Sequence, residues 1–212
     1  MNQDEIRQQI AQLVDQYAAI EFSQKIFDPS TTVIPPSGKV LDADELKNMV
    51  DASLDGWLTT GRFDKAFRKR LAGYLGVKYV LTTNSGSSAN LIAFSTLTSD
   101  RLGERAIKPG DEVIGVAAGF PTTVNPILQC GAVPVFVDID IETHNIDVTK
   151  IEAAISPKTK AIMLAHSLGN PFNIKVVVEI CKKYGLWLIE DNCDALGSRY
   201  DGQLTGTFGD IG

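Results

Sequence analysis

The N-terminal part of the chain repeats apolar residues at the spacing of amphipathic helices. Between Ile6 and Tyr17, apolar side chains recur every three or four positions, as they do on one face of a helix. The same spacing returns in DELKNMVDASL, where Asp42 is placed to cap the helix N-terminus, and in FDKAFRKRLAGYL. The Pro-rich FDPSTTVIPPSGKV between the first two stretches cannot be helical. We therefore predict a helical N-terminal arm over residues 1–76.

From residue 77 the pattern changes to short apolar runs that alternate with amphipathic stretches. The runs predict buried strands, and they are VKYVLTT, DEVIGVA, VPVFVDI, TKAIMLAHS and LWLIED. Helical spacing occurs between them in ANLIAFSTL, TTVNPILQCG, DVTKIEAAI and IKVVVEICKKYG. Strands that alternate with helices are typical of a mostly parallel α/β sheet with crossover connections. We expect this sheet within residues 77–191, with parallel pairing and flanking helices.

Composition narrows the class of protein without identifying its chemistry. The chain has 44% hydrophobic and 22% charged residues, as soluble globular proteins do. Its net charge of −6 disfavours a general nucleic-acid or membrane-surface binder, because both ligands require a basic face. The start MNQDEIRQQI does not resemble a secretory signal, and we expect a cytoplasmic protein with no membrane partner. The three cysteines lack the CxxC spacing typical of a zinc site.

Ligands of open α/β sheets bind outside the carboxyl ends of the strands, and four stretches of this chain fall there. The first is TNSGSS, in which Gly86 permits a tight turn between a strand and a helix. The N–H and hydroxyl groups of Ser87 and Ser88, together with the helix dipole, would cradle an anion such as a phosphate. The same residues would also suit a plain serine N-cap. From this stretch alone the two interpretations are equally favoured.

The second stretch is LIED, in which an apolar strand ends in a carboxylate. Burying Asp191 is costly unless a cation or several N–H groups meet it, and a protonated pyridine nitrogen is one such cation. A capping or loop carboxylate is the more common role for an isolated aspartate of this kind. A metal site with Glu190 and Asp194 is a further alternative, which the lack of a nearby histidine weakens.

The other two stretches each contain one ring-bearing candidate: His166, at the end of TKAIMLAHS, and Phe120, in VAAGFPTTV. His166 could stack on a ligand or hydrogen-bond to it, although a structural histidine is more common. Phe120 could lie on the face of an aromatic ring or belong to the core. His144, in the polar ETHN turn, is interpreted as a solvated loop residue. A phosphate cradle, a stacking aromatic, a strand-end histidine and an acid for a ring nitrogen together fit pyridoxal phosphate (PLP) or its amine, pyridoxamine phosphate (PMP).

Four longer stretches resemble one known family, and the resemblance covers essentially the whole chain. They are TTNSGSSAN, AAGFPTTVNP, AHSLGNPFN and EDNCDALGSRYDGQLTGTFGDIG. In them the chain is similar to the DegT/DnrJ/EryC1/StrS sugar aminotransferase family of fold-type-I PLP enzymes. Within that family, AAGFPTTVNP and EDNCDALGS resemble the sugar 3-dehydrases more than the aminotransferases. The resemblance implies a fold-type-I large domain with a mostly parallel sheet, present here as a partial cofactor-binding domain over residues 77–212.

The resemblance also implies a role for each candidate residue. Gly86 and Ser87 would hold the cofactor phosphate, and Phe120 would stack on the pyridine ring. Asp191 would pair with the ring nitrogen and keep it protonated, so that the ring can accept electrons. The two remaining candidates are Asp194, near the phenolic oxygen, and His166, which would face the cofactor region.

The activity that the resemblance implies is 3-dehydration of CDP-4-keto-6-deoxy-D-glucose, the C3 deoxygenation of dideoxysugar and O-antigen (lipopolysaccharide) biosynthesis. It further implies PMP as cofactor, a reductase partner that supplies electrons, and a homodimer. The catalytic base would follow shortly after Gly212, as a histidine in dehydrases or a Schiff-base lysine in aminotransferases. A small C-terminal domain and the cysteines of a [2Fe–2S] cluster would also lie beyond this sequence.

Two alternatives to the dehydrase stay open. One is a nucleotide-sugar aminotransferase of the same family, which uses lysine and glutamate, and the residue type of the expected base would distinguish it. The other is a non-catalytic binding or assembly module, because a chain without the covalent anchor and the small domain is expected to be inactive alone. A PMP titration beside a turnover assay would separate this module from an enzyme.

Overall fold

The computed structural model describes residues 1–23, 26–35 and 38–212. The chain divides into two compact units, Met1–Phe67 and Arg68–Gly212. The boundary predicted at residue 76 remains a prediction. None of the helices within the described ranges combines the length and the apolarity that a bilayer span requires.

Helices make up most of the first unit. They are α1, Gln3–Glu21; α2, Ala43–Leu54; and α3, Arg62–Leu75, which ends in the second unit. Asp42 caps α2 as predicted, since its carboxylate accepts the N–H of Asp44 at 2.7 Å. The predicted Pro-rich link includes residues 36–37, which lie outside the described residues. The described parts of the link, residues 27–35 and 38–40, contain no helix, as expected.

The second unit contains a four-stranded parallel sheet in the order β2–β1–β3–β4. The strands are β1, Glu112–Gly115; β2, Val133–Phe136; β3, Thr159–Ala165; and β4, Trp187–Asp191. Besides the C-terminal part of α3, this unit contains the helices α4, Gly86–Thr96; α5, Pro121–Gln129; and α6, Ile174–Tyr184. An antiparallel hairpin follows, formed by β5, Arg199–Tyr200, and β6, Gln203–Leu204. The parallel pairing confirms the predicted α/β architecture.

Around β1, β3 and β4 both faces of the sheet are covered, and successive residues of these strands pack on opposite sides. On one face, Ile162 and Leu188 join a buried cluster with apolar residues of α6. On the other face, Met163 and Ile189 pack with Phe94 of α4, and α5 belongs to the same cluster. The helices α4 and α5 therefore lie side by side against the strands whose carboxyl ends were predicted to carry the site.

The first predicted strand, VKYVLTT at residues 77–83, is not a strand in the structure. Tyr79 and Leu81 are 74% and 76% exposed, whereas the sequence predicted a buried run. A segment becomes a strand only by hydrogen-bonding to a neighbouring strand. The edge of β4 that does not face β3 is bonded to residues 210–211 and not to VKYVLTT. Apolar character alone therefore did not determine whether this run joined the sheet.

The helix predicted at DVTKIEAAI is replaced by two short 3₁₀ turns, Val148–Lys150 and Glu152–Ala154. The Asp147 carboxylate accepts both the N–H of Thr149, at 3.1 Å, and its hydroxyl, at 2.5 Å. This local capping favours a single tight turn over a continuing helix. The β-branched residues of the stretch lose side-chain freedom in a helix, which acts in the same direction.

Candidate functional site

Asp191 ends β4 at the carboxyl edge of the sheet and is only 9% exposed. Its Oδ2 accepts the Thr123 hydroxyl at 2.7 Å and the Asn90 side-chain N–H at 2.8 Å. Its Oδ1 accepts the backbone N–H of Cys193 at 3.2 Å. The carboxylate that the sequence singled out is thus buried and met by three neutral donors, which offset part of the cost of removing its charge from water.

Asn90 and Thr123 are site residues that the sequence reasoning missed. Each lies on the buried stripe of an apolar helix, four residues before a buried apolar side chain: Asn90 before Phe94 in α4, and Thr123 before Ile127 in α5. A polar residue at a core position of an amphipathic pattern was the available signal. Burying such a side chain is favourable only when it has a partner. Here the partner of both is Asp191.

The predicted anion cradle forms the first turn of α4. The helix begins at Gly86, and the Ser85 hydroxyl caps it by accepting the N–H of Ser88 at 3.2 Å. The N–H groups of Gly86 and Ser87 then have no acceptor within the helix, so they are available to an anion. Ser85 therefore meets the N-cap interpretation of the stretch, while an anion bound at the N–H groups of Gly86 and Ser87 stays a prediction. The helix begins three residues before ANLIAFSTL, the stretch at residues 89–97 that was predicted to be helical.

Two further predicted residues lie on loops that follow strands at the same edge. Phe120 precedes α5 directly and is 70% exposed, so its ring is not part of the core. Asp194 is exposed on the loop after β4. The Cys193 sulfur on this loop lies 3.9 Å from the position that a Cβ on Gly86 would take, which brings the loop against the first turn of α4. The cofactor contacts of Phe120 and Asp194 stay predictions.

The structure buries His166 completely, unlike the other predicted residues. Its Nε2 lies 3.0 Å from Oε2 of Glu190, and because a carboxylate only accepts, this nitrogen carries the hydrogen. The imidazole stacks on Phe172, with ring centroids 4.4 Å apart and an interplanar angle of 7°. Within the described residues, its Nδ1 has no partner. This environment favours the structural alternative for His166, and its role as a cofactor contact stays a prediction.

Glu190 anchors the segment after β6, a role that the sequence did not reveal. Besides His166, its carboxylate accepts the N–H groups of Gly206, Phe208 and Gly209, at 3.0, 2.8 and 2.6 Å. Burial raises the pKa of Glu190, but these hydrogen bonds outweigh burial and hold the pKa below its ordinary value. Since both of its oxygens are occupied, Glu190 does not support the alternative of a metal site beside Asp191.

The arrangement suits a ligand that has a cationic N–H at one end and an anion at the other. Asp191 supplies an acceptor for the cation, and the first turn of α4 supplies N–H donors for the anion. Gly86 and Asn90 are four residues apart, or about 6 Å along the helix axis. The distance between the two ends of the site is therefore set by one turn of α4.

Comparison with known proteins gives a family for the chain. A model of the DegT/DnrJ/EryC1/StrS aminotransferase family matches residues 39–212. The lipopolysaccharide biosynthesis protein RfbH of Salmonella typhimurium is 64% identical over 212 residues, which are 100% of this chain and 48% of that protein. The dTDP-4-dehydro-2,6-dideoxy-D-glucose 3-dehydratase of Saccharopolyspora spinosa is 51% identical over 185 residues, which are 87% of this chain and 40% of that protein.

A solved structure agrees with these sequence relatives. The E. coli GDP-4-keto-6-deoxy-D-mannose-3-dehydratase with bound hydrated PLP matches with a TM-score of 0.78 and 35% identity, over 82% of this chain and 44% of that one. This likeness confirms the predicted fold-type-I architecture. The chain spans about half the length of the curated relatives that it matches. By sequence and by fold, it belongs to the DegT/DnrJ/EryC1/StrS aminotransferase family.

Proposed function

We propose that this chain holds the cofactor in a PMP- or PLP-dependent nucleotide-sugar 3-dehydrase acting on CDP-4-keto-6-deoxy-D-glucose. The observation that carries the proposal is the buried Asp191 carboxylate, fixed by Asn90 and Thr123 beside the N-terminus of α4. The relatives from Saccharopolyspora spinosa and E. coli, both named as sugar 3-dehydratases, support the reaction class. The name of the Salmonella relative supports a place in lipopolysaccharide biosynthesis.

The residues of the site fit the cofactor at both of its ends. A carboxylate offers about four lone-pair sites, and Asp191 uses three of them, so one remains for a ring N–H. The N–H groups of Gly86 and Ser87, with the positive end of the α4 dipole, suit a phosphate. The exposed ring of Phe120 can cover one face of an aromatic ligand.

Each residue then has a defined task in the proposed reaction. When bound, PMP would supply an amine for the C4 ketone of the sugar and a protonated ring that accepts the electron pair left at C4′ on loss of a proton, the pair that then expels the C3 hydroxyl. Asp191 holds the proton at the ring nitrogen, and Gly86 and Ser87 fix the phosphate through their N–H groups. Phe120 would exclude water from the ring face, and Asp194 would lie near the phenolic oxygen. The proton-transferring base is not assigned to a residue of this chain.

The proposal includes the partners that the resemblance implied. A reductase would supply the electrons that complete the deoxygenation, a [2Fe–2S] cluster would carry them, and the enzyme would act as a cytoplasmic homodimer. A turnover assay on a protein that spans the full length of the curated relatives separates the alternatives. Loss of one water from the nucleotide sugar in the presence of PMP indicates the dehydrase, glutamate-dependent formation of an amino sugar indicates the aminotransferase, and binding without turnover indicates a non-catalytic module.

Cys193 gives a direct test of cofactor binding, because its exposed side chain adjoins the first turn of α4. Burial and the nearby carboxylates of Asp191 and Asp194 raise the pKa of its thiol, so alkylation is best measured above neutral pH. We expect PMP to slow the modification of Cys193 by iodoacetamide and to leave that of the partly buried Cys130 unchanged. Peptide mass spectrometry measures both rates. Equal rates at Cys193 with and without PMP would contradict the proposed site.

Gly86→Pro is expected to weaken PMP binding about tenfold or more while the chain stays folded. Gly86 is the first residue of α4, where proline fits a helix, and Ser85 already has the extended backbone that a following proline requires. The substitution therefore removes mainly one N–H donor to the phosphate. A calorimetric titration with PMP measures the affinity, and unphosphorylated pyridoxamine should bind both proteins equally.

Gly86→Ala is the matched control, because alanine keeps the N–H. Its Cβ would lie 3.9 Å from the Cys193 sulfur, an ordinary van der Waals distance. This variant should bind PMP as the wild type does. If the proline and alanine variants had the same affinity for PMP, the phosphate would not lie at the first turn of α4.

A further inference from the structure

Two donors from different helices converge on one oxygen of Asp191. The side-chain N–H of Asn90 in α4 and the hydroxyl of Thr123 in α5 both reach Oδ2, at 2.8 and 2.7 Å. The Asn90 side chain also donates to the backbone oxygen of Thr122 at 3.3 Å, which joins the two helices directly. Asn90 and Thr123 are 8% and 7% exposed, so water competes little for these bonds.

The two oxygens of Asp191 therefore differ in how many further hydrogen bonds each can accept. Each carboxylate oxygen has two lone pairs, so the two donors fill Oδ2. Oδ1 accepts the N–H of Cys193 at 3.2 Å, and within the described residues no second hydrogen bond to Oδ1 is present. A ligand N–H that approaches Asp191 would accordingly be accepted at Oδ1.

Each of the two helices also carries a candidate contact to the cofactor. Gly86 is the first residue of α4, the helix that contains Asn90. Phe120 immediately precedes α5, the helix that contains Thr123. One rigid helix thus links the phosphate contact to Asp191, and another links the stacking ring to Asp191. Such a link holds a carboxylate in place only if the polar side chains on both helices keep their bonds to it.

Building on the proposed function, we propose that Asn90 and Thr123 are positioning residues that fix the plane of the Asp191 carboxylate and direct Oδ1 at the pyridinium N–H of the cofactor. Both act through Asp191 and do not themselves touch the ring. Loss of either donor leaves a lone pair of Oδ2 open, so the carboxylate can rotate about its Cβ–Cγ bond. The ring hydrogen bond then loses its fixed geometry, and the ring nitrogen holds its proton less firmly.

Asn90→Leu and Thr123→Val test this proposal, because each removes one donor at nearly constant volume. We expect each variant to bind PMP about tenfold more weakly than the wild type. The nitrogen-15 signal of ring-labelled PMP should also move toward that of an unprotonated pyridine. Thr123→Ser, which keeps the hydroxyl, should restore both values.

Thr159→Val is the matched control. Thr159 is as buried as Thr123, at 6%, and its hydroxyl also bonds, accepting the N–H of Ser156 at 2.9 Å. It is the first residue of β3 and lies at the amino ends of the parallel strands, whereas Asp191 lies at the carboxyl end of β4. Its replacement should lower stability as other buried threonine changes do, and should alter neither the PMP affinity nor the ring-nitrogen signal.

A measurement without cofactor separates this proposal from the proposed function. In the free chain with carbon-13-labelled aspartate, the Asp191 carboxyl signal, identified by its loss in Asp191→Asn, should shift in Asn90→Leu and in Thr123→Val. An unchanged signal would overturn the positioning roles whether or not PMP binds. Shifted signals in a chain that does not bind PMP would support positioning and contradict the cofactor assignment. Wild-type affinity and ring protonation in both variants would overturn positioning and leave the proposed function intact.

Discussion

In a protein that spans the full length of the curated relatives, replacing Asp191 with asparagine is expected to lower turnover roughly a hundredfold or more. Asparagine cannot form an ion pair with the pyridine nitrogen, so the ring would no longer be held protonated and would accept poorly the electron pair left at C4′ when the C4′ proton is removed. The affinity for PMP should fall as well, because an ion pair becomes a neutral hydrogen bond. A turnover assay with CDP-4-keto-6-deoxy-D-glucose and a PMP titration measure the two effects separately.

The fold should tolerate this change with a loss of about 1 kcal/mol. The asparagine oxygen can replace Oδ2 and still accept from Asn90 and Thr123, while the new NH₂ group faces the N–H of Cys193. The control is Asp201→Asn, at the exposed turn between β5 and β6, which should alter neither turnover nor affinity. Normal turnover and normal PMP affinity in Asp191→Asn would mean that Asp191 only accepts hydrogen bonds from its neighbours in the fold and does not bind the ring nitrogen of the cofactor.

Glu190→Gln is expected to destabilise the second unit by roughly 3 kcal/mol at neutral pH. The two oxygens of Glu190 accept the backbone N–H groups of Gly206, Phe208 and Gly209 and the ring nitrogen of His166. An amide nitrogen cannot accept a hydrogen bond, so at least one of these buried donors loses its partner. Urea unfolding followed by the fluorescence of Trp187, in β4, reports on this unit. A Trp57→Phe background removes the other of the two tryptophans.

The effect of Glu190→Gln should depend on pH in one direction. Burial raises the pKa of Glu190, yet the hydrogen bonds from His166 and three backbone N–H groups lower it below the ordinary value. The carboxylate therefore contributes its full stability above the unfolded-state pKa of about 4.3. That stability is lost as the pH falls through the lower folded-state pKa. The difference in unfolding free energy between wild type and variant should be constant near neutral pH and shrink in acid.

Glu152→Gln is the control for this experiment. Glu152 pairs with Lys183 at 2.7 Å on the exposed surface, where an ion pair contributes little. It should change the unfolding free energy only slightly at any pH. Equal losses from the two substitutions, or a loss at Glu190 that does not vary in acid, would show that the backbone N–H groups of the following segment do not depend on this carboxylate.

The sequence predicted the presence of a parallel sheet better than it predicted which apolar runs form the strands of that sheet. DEVIGVA, TKAIMLAHS and LWLIED became β1, β3 and β4, because their apolar residues are buried on both faces of the sheet. VKYVLTT is also a short apolar run, yet it is not a strand, since strand formation depends on which segment pairs with the edge of β4. Pairing is a property of the whole fold, and a local pattern does not contain it.

The same distinction applies to the site. Asp191 was identifiable because a carboxylate at the end of an apolar strand conflicts with its surroundings. Asn90 and Thr123 were overlooked because one polar residue in a helix does not reveal its partner, which lies far away in the sequence. His166 appeared as a ligand candidate by its strand-end position, whereas only the tertiary structure shows its bond to Glu190 and its stacking on Phe172.

The hydrogen bonds that hold Asp191 also determine when the site can form. Asn90 and Asp191 are 101 residues apart in the sequence, and Thr123 and Asp191 are 68 residues apart. During synthesis, α4 and α5 leave the ribosome well before β4, so their polar side chains have no carboxylate to meet until that strand joins the sheet. Contacts across such long loops form late, because chain entropy is lost before the contacts compensate for it. PMP would therefore find a complete site only in a nearly finished fold, and would stabilise the chain by slowing its unfolding rather than by accelerating its folding.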